Sequence, residues 1–196
     1  MVERLKEEYQ IDLEWRPFYL YFDTPPEGRE LPDTIKRARA NGSEERLRSV
    51  AQSYGMNFES TERIYNTRLA HEATEYAREH GNPARFNSPI QRNERGKGNE
   101  FHKIVFRKVY AEKQDPSQWD VLRSAAEEAG LDADELQRDV ENEKYKTNVE
   151  EQVKWAYEIG VQGVPTYVVN DRYAIVGAQP YEVFKRALAQ IMDQKG

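Results

Sequence analysis

The sequence predicts an α/β domain that is interrupted by a large all-helical insertion, and two observations support this. β-rich runs stand near both ends of the chain, first in residues 11–21 and later in residues 166–170 and 173–177. Between them, almost all of residues 60–159 follows a helical pattern of apolar side chains. Strands at both ends with a helical middle indicate one sheet-containing domain whose chain leaves it and returns.

The first predicted strand is "IDLEWRPFYLY". Ile11, Leu13 and Trp15 alternate with polar side chains, as in a strand with one buried face. Arg16-Pro17 favours an edge or a bulge at that point, because proline has no N–H to give to a neighbouring strand. The prolines and the glycine of "DTPPEG" then end the strand.

Helical periodicity dominates the middle of the chain. "NTRLAHEATEYAREHG" places Leu69, Ala73 and Tyr76 on one face. Asp132 followed by Glu135 is a capping-box pattern, which marks a helix start. A polar loop over residues 82–98 is long for a compact domain, and its length predicts that it is mobile or functional. The predicted helices cover residues 33–40, 43–54, 66–81, 99–113, 117–130 and 132–142, and one more ends at Gly160.

The C-terminal part predicts a hairpin followed by a helix. "TYVVN" and "YAIVG" are separated by "DR", which is the spacing of a β-hairpin. Pro180 stands where a helix begins, a position at which a missing N–H costs nothing. The following apolar face consists of Val183, Phe184, Ala187, Leu188 and Ile191.

Composition excludes several classes of function. The 196 residues have a net charge of −6 and no long basic cluster, so a nucleic-acid partner is not expected. No apolar run approaches the roughly 18 residues of a membrane span, and the charged start "MVERLKEEYQ" is unlike a signal peptide, so a cytoplasmic location without a membrane partner is predicted. The absence of cysteine excludes disulfides, thiolate nucleophiles and cysteine metal sites within these residues.

Other candidate sites give weaker signals. His71, His80 and His102 have no metal-pair spacing, so surface or capping roles are favoured and neither a metal nor a cofactor is predicted. "RNERGKG" could hold an anion, but a connector is the better interpretation. The aromatic residues near the first strand favour a core or sheet edge over a substrate groove; they are Trp15, Phe18, Tyr19, Tyr21 and Phe22.

A specific resemblance comes from "GVQGVPTYVVNDRYAIVGAQPYEVFKRAL", with support from "LEWRPFYLYFDTPPEG", "NTRLAHEATEYAREHG" and "FHKIVFRKVYAEKQDPSQWDVLRSAAEEAGLD". In this order the segments resemble the DsbA-like thioredoxin-fold proteins, and "GAQP" resembles their FrnE-type branch. The resemblance implies thiol–disulfide oxidoreduction of protein substrates and a cis Val164-Pro165 bond. It also implies a substrate-binding loop at Gly163, Val164, Pro165 and Thr166.

The resemblance further implies a division into a discontinuous thioredoxin-like domain, residues 1–58 and 152–196, and a helical insertion domain, residues 59–151. The family opens with a β-strand and a Cys-Pro-x-Cys motif, and this sequence contains neither. It resembles a family member that starts within the first helix, as a start codon assigned too far downstream would produce. The chain as given is therefore expected to have no catalytic residue, to be redox-inactive, and to form a rearranged sheet or one completed in a homo-oligomer.

Two other functions remain open from the sequence. One is a glutathione-dependent isomerase of the 2-hydroxychromene-2-carboxylate type, although the reactive position of those enzymes also lies at the start of the first helix. The other is a non-catalytic module that binds an extended peptide or protein segment at residues 163–166 by strand addition.

Overall fold

The structure, a computed structural model, describes residues 2–9, 11, 13–80 and 97–193. Its elements in chain order are α1 (Val2–Glu8), β1 (Arg29–Glu30), α2 (Asp33–Ala40), α3 (Ser43–Ser53), β2 (Arg63–Ile64), α4 (Arg68–Glu79), α5 (Gly98–Tyr110), α6 (Trp119–Glu128), α7 (Ala133–Glu141), α8 (Lys146–Glu158), β3 (Thr166–Val169), β4 (Tyr173–Val176) and α9 (Tyr181–Asp193). The chain forms two compact units, residues 1–20 with 151–196 and residues 21–150.

The predicted helices are confirmed, with ends within a few residues of those expected. The capping pattern before α7 also holds, because the Asp132 carboxylate accepts the Glu135 N–H at 2.9 Å. The division into residues 1–58 with 152–196 and residues 59–151 stays a prediction; in the structure residues 21–58 belong to the same compact unit as the central helices. Residues 82–96 of the predicted loop, with most of "RNERGKG", lie outside the described residues, and Gly98 at the end of the predicted loop begins α5.

The strand predicted over residues 11–21 is wrong for the described part of that segment, which is irregular. Alternation alone does not make a strand, because the backbone also needs a ladder partner. Pro17 cannot donate to such a ladder and is buried instead. The helical reading of residues 60–159 also missed β2, which pairs with β1 in an antiparallel ribbon.

Close backbone approach explains one glycine of that ribbon. Gly28 precedes β1 and has a φ of 74°, in the left-handed region that glycine adopts without strain. A Cβ at this position would lie 2.6 Å from the carbonyl oxygen of Ile64 in β2. Any side chain at residue 28 would therefore push the two short strands apart.

The core of unit 21–150 is formed by α4, α5, α6 and α7. Among its most buried large side chains are Tyr76, Phe101, Leu122, Leu136 and Val140. The Tyr76 hydroxyl donates to the Glu135 carboxylate at 2.9 Å, so this ring joins the core without burying an unpaired polar group. Apolar burial of this kind is the main favourable term in folding, and here the helices supply it.

The other unit, residues 1–20 and 151–196, has a smaller set of buried side chains. Among the described residues they are Leu5, Pro17, Val153, Ala156, Phe184 and Ile191. β3 and β4 form an antiparallel hairpin in which Thr166 faces Val176 and Val169 faces Tyr173. The Tyr167 ring of β3 packs edge-on against Phe184 of α9, with ring centroids 4.7 Å apart. This contact fixes which face of the hairpin lies against the helix.

The turn of the hairpin lies one residue earlier than the sequence predicts. Asn170 and Asp171 both have positive φ, 53° and 54°, and the Arg172 N–H donates to the Val169 carbonyl. Two such residues in succession are typical of a type I′ turn, whose twist matches that of the strands. Asn and Asp tolerate this conformation better than most residues, which is the signal for it in "VVNDRY".

No helix in the described ranges has the length and apolar character that a bilayer crossing requires.

Glu72 is an unusual member of the core of unit 21–150. Its side chain is 0% exposed, yet only one carboxylate oxygen is bonded, to Arg68 at 2.7 Å. The second oxygen, Oε2, is buried with no hydrogen-bond partner. Burial raises the pKa of Glu72 above the ordinary value of 4.5, while Arg68 and Lys146 oppose the shift and Glu143 adds to it. The charged form is thus disfavoured in the folded chain.

We expect Glu72→Gln to stabilise the chain at neutral pH and to have little effect at acidic pH. A raised folded-state pKa gives stability that is fully present below the unfolded-state pKa and is lost as pH rises through the folded one. The glutamine stays neutral, so its free energy of unfolding lacks this decline. Urea unfolding followed by circular dichroism across a pH series measures the difference.

Glu75→Gln is the matched control, because Glu75 lies on the same helix, is nearly buried and pairs with Arg78 at 2.7 Å. Neither carboxylate oxygen of Glu75 is both buried and without a hydrogen-bond partner, in contrast to Oε2 of Glu72. If Glu72→Gln and wild type show the same pH dependence, the buried carboxyl does not set it.

Candidate functional site

The loop before β3 begins where α8 ends. Gly160 has a φ of 83° and lets the chain turn out of the helix without the strain a side chain would meet. The Gly160 N–H donates to the Tyr157 carbonyl at 3.0 Å, and the Val161 N–H donates to the Ala156 carbonyl at 2.9 Å. These bonds satisfy carbonyls at the helix end that would otherwise lack partners.

The four predicted binding residues, Gly163, Val164, Pro165 and Thr166, form one fixed loop. The Thr166 hydroxyl donates to the Gly163 carbonyl at 2.7 Å. The Gly177 N–H, just after β4, donates to the Pro165 carbonyl at 2.8 Å. The Val164–Pro165 peptide bond is cis. Two hydrogen bonds therefore hold the loop, one within it and one from the residue after β4, and neither uses Val164.

The bond from Gly177 to Pro165 also sets the direction of the backbone groups in β3. In an antiparallel pair, residues that exchange hydrogen bonds alternate with residues that do not. Pro165 faces Gly177 in the bonded phase, so Tyr167 and Val169 point their N–H and C=O towards β4. Thr166 and Val168 point theirs to the opposite edge. None of the hydrogen bonds between described residues uses the backbone of Val164.

Exposed apolar side chains accompany this unused backbone. Val164 is 58% exposed and Val176 is 63% exposed. Val176 stands opposite Thr166, on the hairpin face that points away from Tyr167 and Phe184. The loop and the end of β4 thus offer an unused backbone N–H and C=O together with exposed apolar side chains, which are groups that an extended peptide can use.

The aromatic segment in residues 13–20 packs against the end of α8 within the same unit. The Phe18 and Tyr157 rings lie 5.0 Å apart, and the Tyr157 hydroxyl donates to the Tyr19 carbonyl at 2.6 Å. The Arg16 guanidinium stacks over Trp155, 4.2 Å from the ring centre. These contacts agree with a packing role, while Trp15 stays 43% exposed. Tyr21 and Phe22 belong to the other unit.

The histidines lie in helical contacts. His80 caps α4 and stacks on Tyr76 with ring centres 4.0 Å apart. His71 contacts Thr67 through Nε2, at 3.3 Å from the hydroxyl oxygen. His102 packs on Phe106, and burial lowers the pKa of its imidazole. Within the described ranges, no group of three or more His, Asp or Glu side chains is arranged to hold a metal ion.

Sequence reasoning missed a groove in unit 21–150, which we call the α2–α3 groove. Its volume is about 300 Å³. Tyr110 of α5 stacks near Phe58 on one side, with ring centres 5.8 Å apart. The lining combines apolar side chains with hydroxyls and one ion pair: Thr34, Ile35, Ala38, Arg39, Ser43, Glu44, Leu47, Phe58, Ser60, Thr61 and Tyr110. The signal in the sequence that could have indicated it is the pair Ile35 and Ala38 of α2, three residues apart on one helix face.

Comparison with known proteins places the chain in context. The uncharacterized protein YwbO of Bacillus subtilis (strain 168) is 27% identical over 188 residues, which cover 94% of this chain and 84% of that protein. The solved structure of a probable DsbA oxidoreductase from Streptomyces coelicolor is 26% identical, with a TM-score of 0.62. That match covers 78% of this chain, and the chain spans 60% of the length of the Streptomyces protein.

A second solved structure supports the fold alone. A 2-hydroxychromene-2-carboxylate isomerase shares 18% identity with a TM-score of 0.72, over 99% of this chain and 88% of that one. The predicted class, an α/β thioredoxin-like fold with helical insertion, is confirmed by these matches and by the family model. The model of the DSBA-like thioredoxin domain matches residues 1–189, so this chain belongs to the DSBA-like thioredoxin domain family.

Proposed function

We propose that this chain binds extended polypeptide at the loop formed by Gly163, Val164, Pro165 and Thr166, as the substrate-binding part of a DsbA-like protein of the FrnE type. The observation that supports the proposal most directly is Val164. Its backbone makes no hydrogen bond within the described residues, and its side chain is 58% exposed. An extended segment could pair with this N–H and C=O as an added strand pairs with a sheet edge.

Preorganisation adds to the argument. The bonds from Thr166 to Gly163 and from Gly177 to Pro165 hold the loop before any partner arrives. Little free energy is then lost in ordering the loop when a peptide binds, so most of the interaction free energy contributes to the affinity. The exposed side chains of Val164 and Val176 favour a partner with apolar residues next to the paired backbone.

Redox chemistry is not part of the proposal for these 196 residues. Thiol–disulfide exchange begins with a thiolate that attacks a disulfide sulfur. The sequence contains no cysteine, and no other side chain forms the mixed disulfide. The Streptomyces relative is a probable DsbA oxidoreductase. These 196 residues contain no thiol for that chemistry, so the proposal for them is limited to polypeptide binding.

The isomerase alternative has a structural neighbour but less support. The 2-hydroxychromene-2-carboxylate isomerase shares 18% identity, which is informative about fold and not about substrate. The unused backbone of Val164 favours a peptide over a small aromatic acid. Retention of the purified chain on a glutathione resin is the result that would favour the isomerase instead.

Replacing the exposed valine by a charged residue is expected to weaken peptide binding. Val164→Asp keeps the backbone groups but puts a carboxylate where an apolar side chain of the peptide would pack. We expect the affinity to fall about tenfold or more. This corresponds to a loss of roughly 1.4 kcal/mol of binding free energy. Fluorescence anisotropy with a labelled, unstructured peptide measures it.

Met192→Asp is the control, because Met192 is an equally exposed apolar residue of the same unit on α9. A peptide series in which single amides are replaced by esters tests the backbone pairing itself. One position should lose affinity when its N–H is removed. Equal binding by Val164→Asp and wild type, or no sensitive ester position, would contradict the proposal.

Loosening the loop should weaken binding without touching the exposed surface. Thr166→Val is nearly isosteric and removes the hydroxyl that donates to Gly163. We expect a local loss of about 1 kcal/mol, the typical net contribution of one hydrogen bond. The Gly177 N–H donates to the Pro165 carbonyl, and its hydrogen exchange should become faster. Thr166→Ser keeps the hydroxyl and should behave like wild type; unchanged exchange in the valine variant would show that the hydroxyl does not fix the loop.

The chain should also fail to catalyse disulfide reduction. In an insulin-reduction assay with dithiothreitol, we expect the purified 196 residues to give the rate of dithiothreitol alone, because no thiol is available to form a mixed disulfide. A rate above that background would overturn this part of the proposal. The peptide-binding experiments stand independently of this result.

A further inference from the structure

Two helices of unit 21–150 bury none of their side chains. α2 has 8 residues and α3 has 11, and no residue of either helix is buried. Isolated helices shorter than about 12–15 residues are marginal in water, and helices gain most of their stability from packing an amphipathic face. α2 and α3 pack on each other and line the α2–α3 groove. Much of the apolar surface of α3 is left exposed to solvent.

The exposed surface of α3 is an ordered stripe. Leu47, Val50 and Tyr54 follow one another at spacings of three and four residues, so they share one face of the helix. They are 55%, 56% and 67% exposed. Leu47 also lines the α2–α3 groove. An apolar stripe of this kind beside an open groove is typical of a surface that packs on another protein.

The charges around the stripe argue against a strongly charged partner. Arg39 pairs with Glu44, and Arg48 lies within ion-pair distance of Glu44, Glu45 and Glu59. These pairs neutralise each other within the chain. A nucleic acid or a highly acidic peptide would need a cluster of unpaired cations, and among the described basic residues of α3 only Arg46 makes no ion pair.

Two charge features of α3 remain, and they complement each other in a second copy. Arg46 lies beside the stripe and makes no ion pair among the described residues; its side chain donates only to the Gly42 carbonyl, at 3.4 Å. The last turn of α3 has no basic residue to offset the negative end of the helix dipole. In an antiparallel pair of α3 helices, Arg46 of one copy reaches the C-terminal end of the other.

The apolar stripe is self-complementary in the same arrangement. When two α3 helices pack antiparallel about a two-fold axis near Val50, Leu47 of each copy lies opposite Tyr54 of the other. The Tyr54 ring then stands next to the α2–α3 groove, which Leu47, Phe58 and Tyr110 line. The two valines meet at the axis. Symmetric contacts of this type are the commonest way in which identical chains associate.

We propose that α3 forms a two-fold interface between two copies of this chain, with Leu47, Val50 and Tyr54 at its centre and Arg46 at the facing helix end. This interface differs from a dimer that completes the β3 sheet edge. It is also independent of the peptide-binding loop, which belongs to the other unit.

The solution mass and one engineered cysteine test the proposal. Light scattering of the purified chain should give twice its mass of 23.0 kDa, falling towards 23.0 kDa on dilution. Because the chain has no cysteine, Val50→Cys introduces a single thiol. At the two-fold axis this thiol should form a disulfide with its copy on mild oxidation. Met192→Cys, on an equally exposed position of α9, should not.

Substitutions then test the two parts of the interface. Val50→Asp places two carboxylates together at the axis and should give the single-chain mass. Arg46→Glu should shift the dissociation to higher protein concentration, and Arg46→Lys should not. Circular dichroism and peptide binding check that the variants are folded. A wild-type chain that remains monomeric at all concentrations, or a dimer that survives Val50→Asp, would overturn the proposal; a surviving dimer that Val168→Asp disrupts would identify the β3 edge instead.

Discussion

The hydrogen bond from the Gly177 N–H to the Pro165 carbonyl determines which backbone groups of β3 pair with β4 and which face the other edge. Because antiparallel strands alternate between bonded and non-bonded pairs, this one contact determines that the backbone N–H and C=O groups of Tyr167 and Val169 point towards β4. It equally determines that the backbone of Thr166 and Val168 faces the other edge. A shift of one residue would reverse both sets and would turn Tyr167 away from Phe184 of α9.

The two units differ in how they obtain their stability. In unit 21–150 the apolar side chains of α4 to α7 are buried together, and a buried tyrosine and a buried glutamate are accommodated among them. In the other unit a few buried side chains support a hairpin and α9, and exposed valines stand on the hairpin loop and strand. Surfaces that bind partners are commonly drawn from such less deeply packed parts of a protein.

Local signals in the sequence were sufficient for the helices and for the Asp132 cap, because these depend on neighbours a few residues away. They failed at residues 11–21, where apolar alternation was present but a strand also needs a second backbone to pair with. The four loop residues came from a family resemblance. The bond from Gly177 joins the loop to the end of β4, and the bond from Thr166 depends on the local geometry of the loop. No periodicity in the sequence encodes either bond. The α2–α3 groove was missed for the same reason.

The hydrogen bonds that hold the loop come from Thr166 and from the backbone of Gly177, and none of them uses Val164. In the proposed peptide-binding role, selection on folding would act weakly at position 164, whereas selection on partner choice would act there directly. Such a separation lets the preferred peptide change over evolutionary time through a single exposed residue, while the frame that presents it stays the same. For protein engineering, position 164 is accordingly the natural site to randomise when a new specificity is wanted.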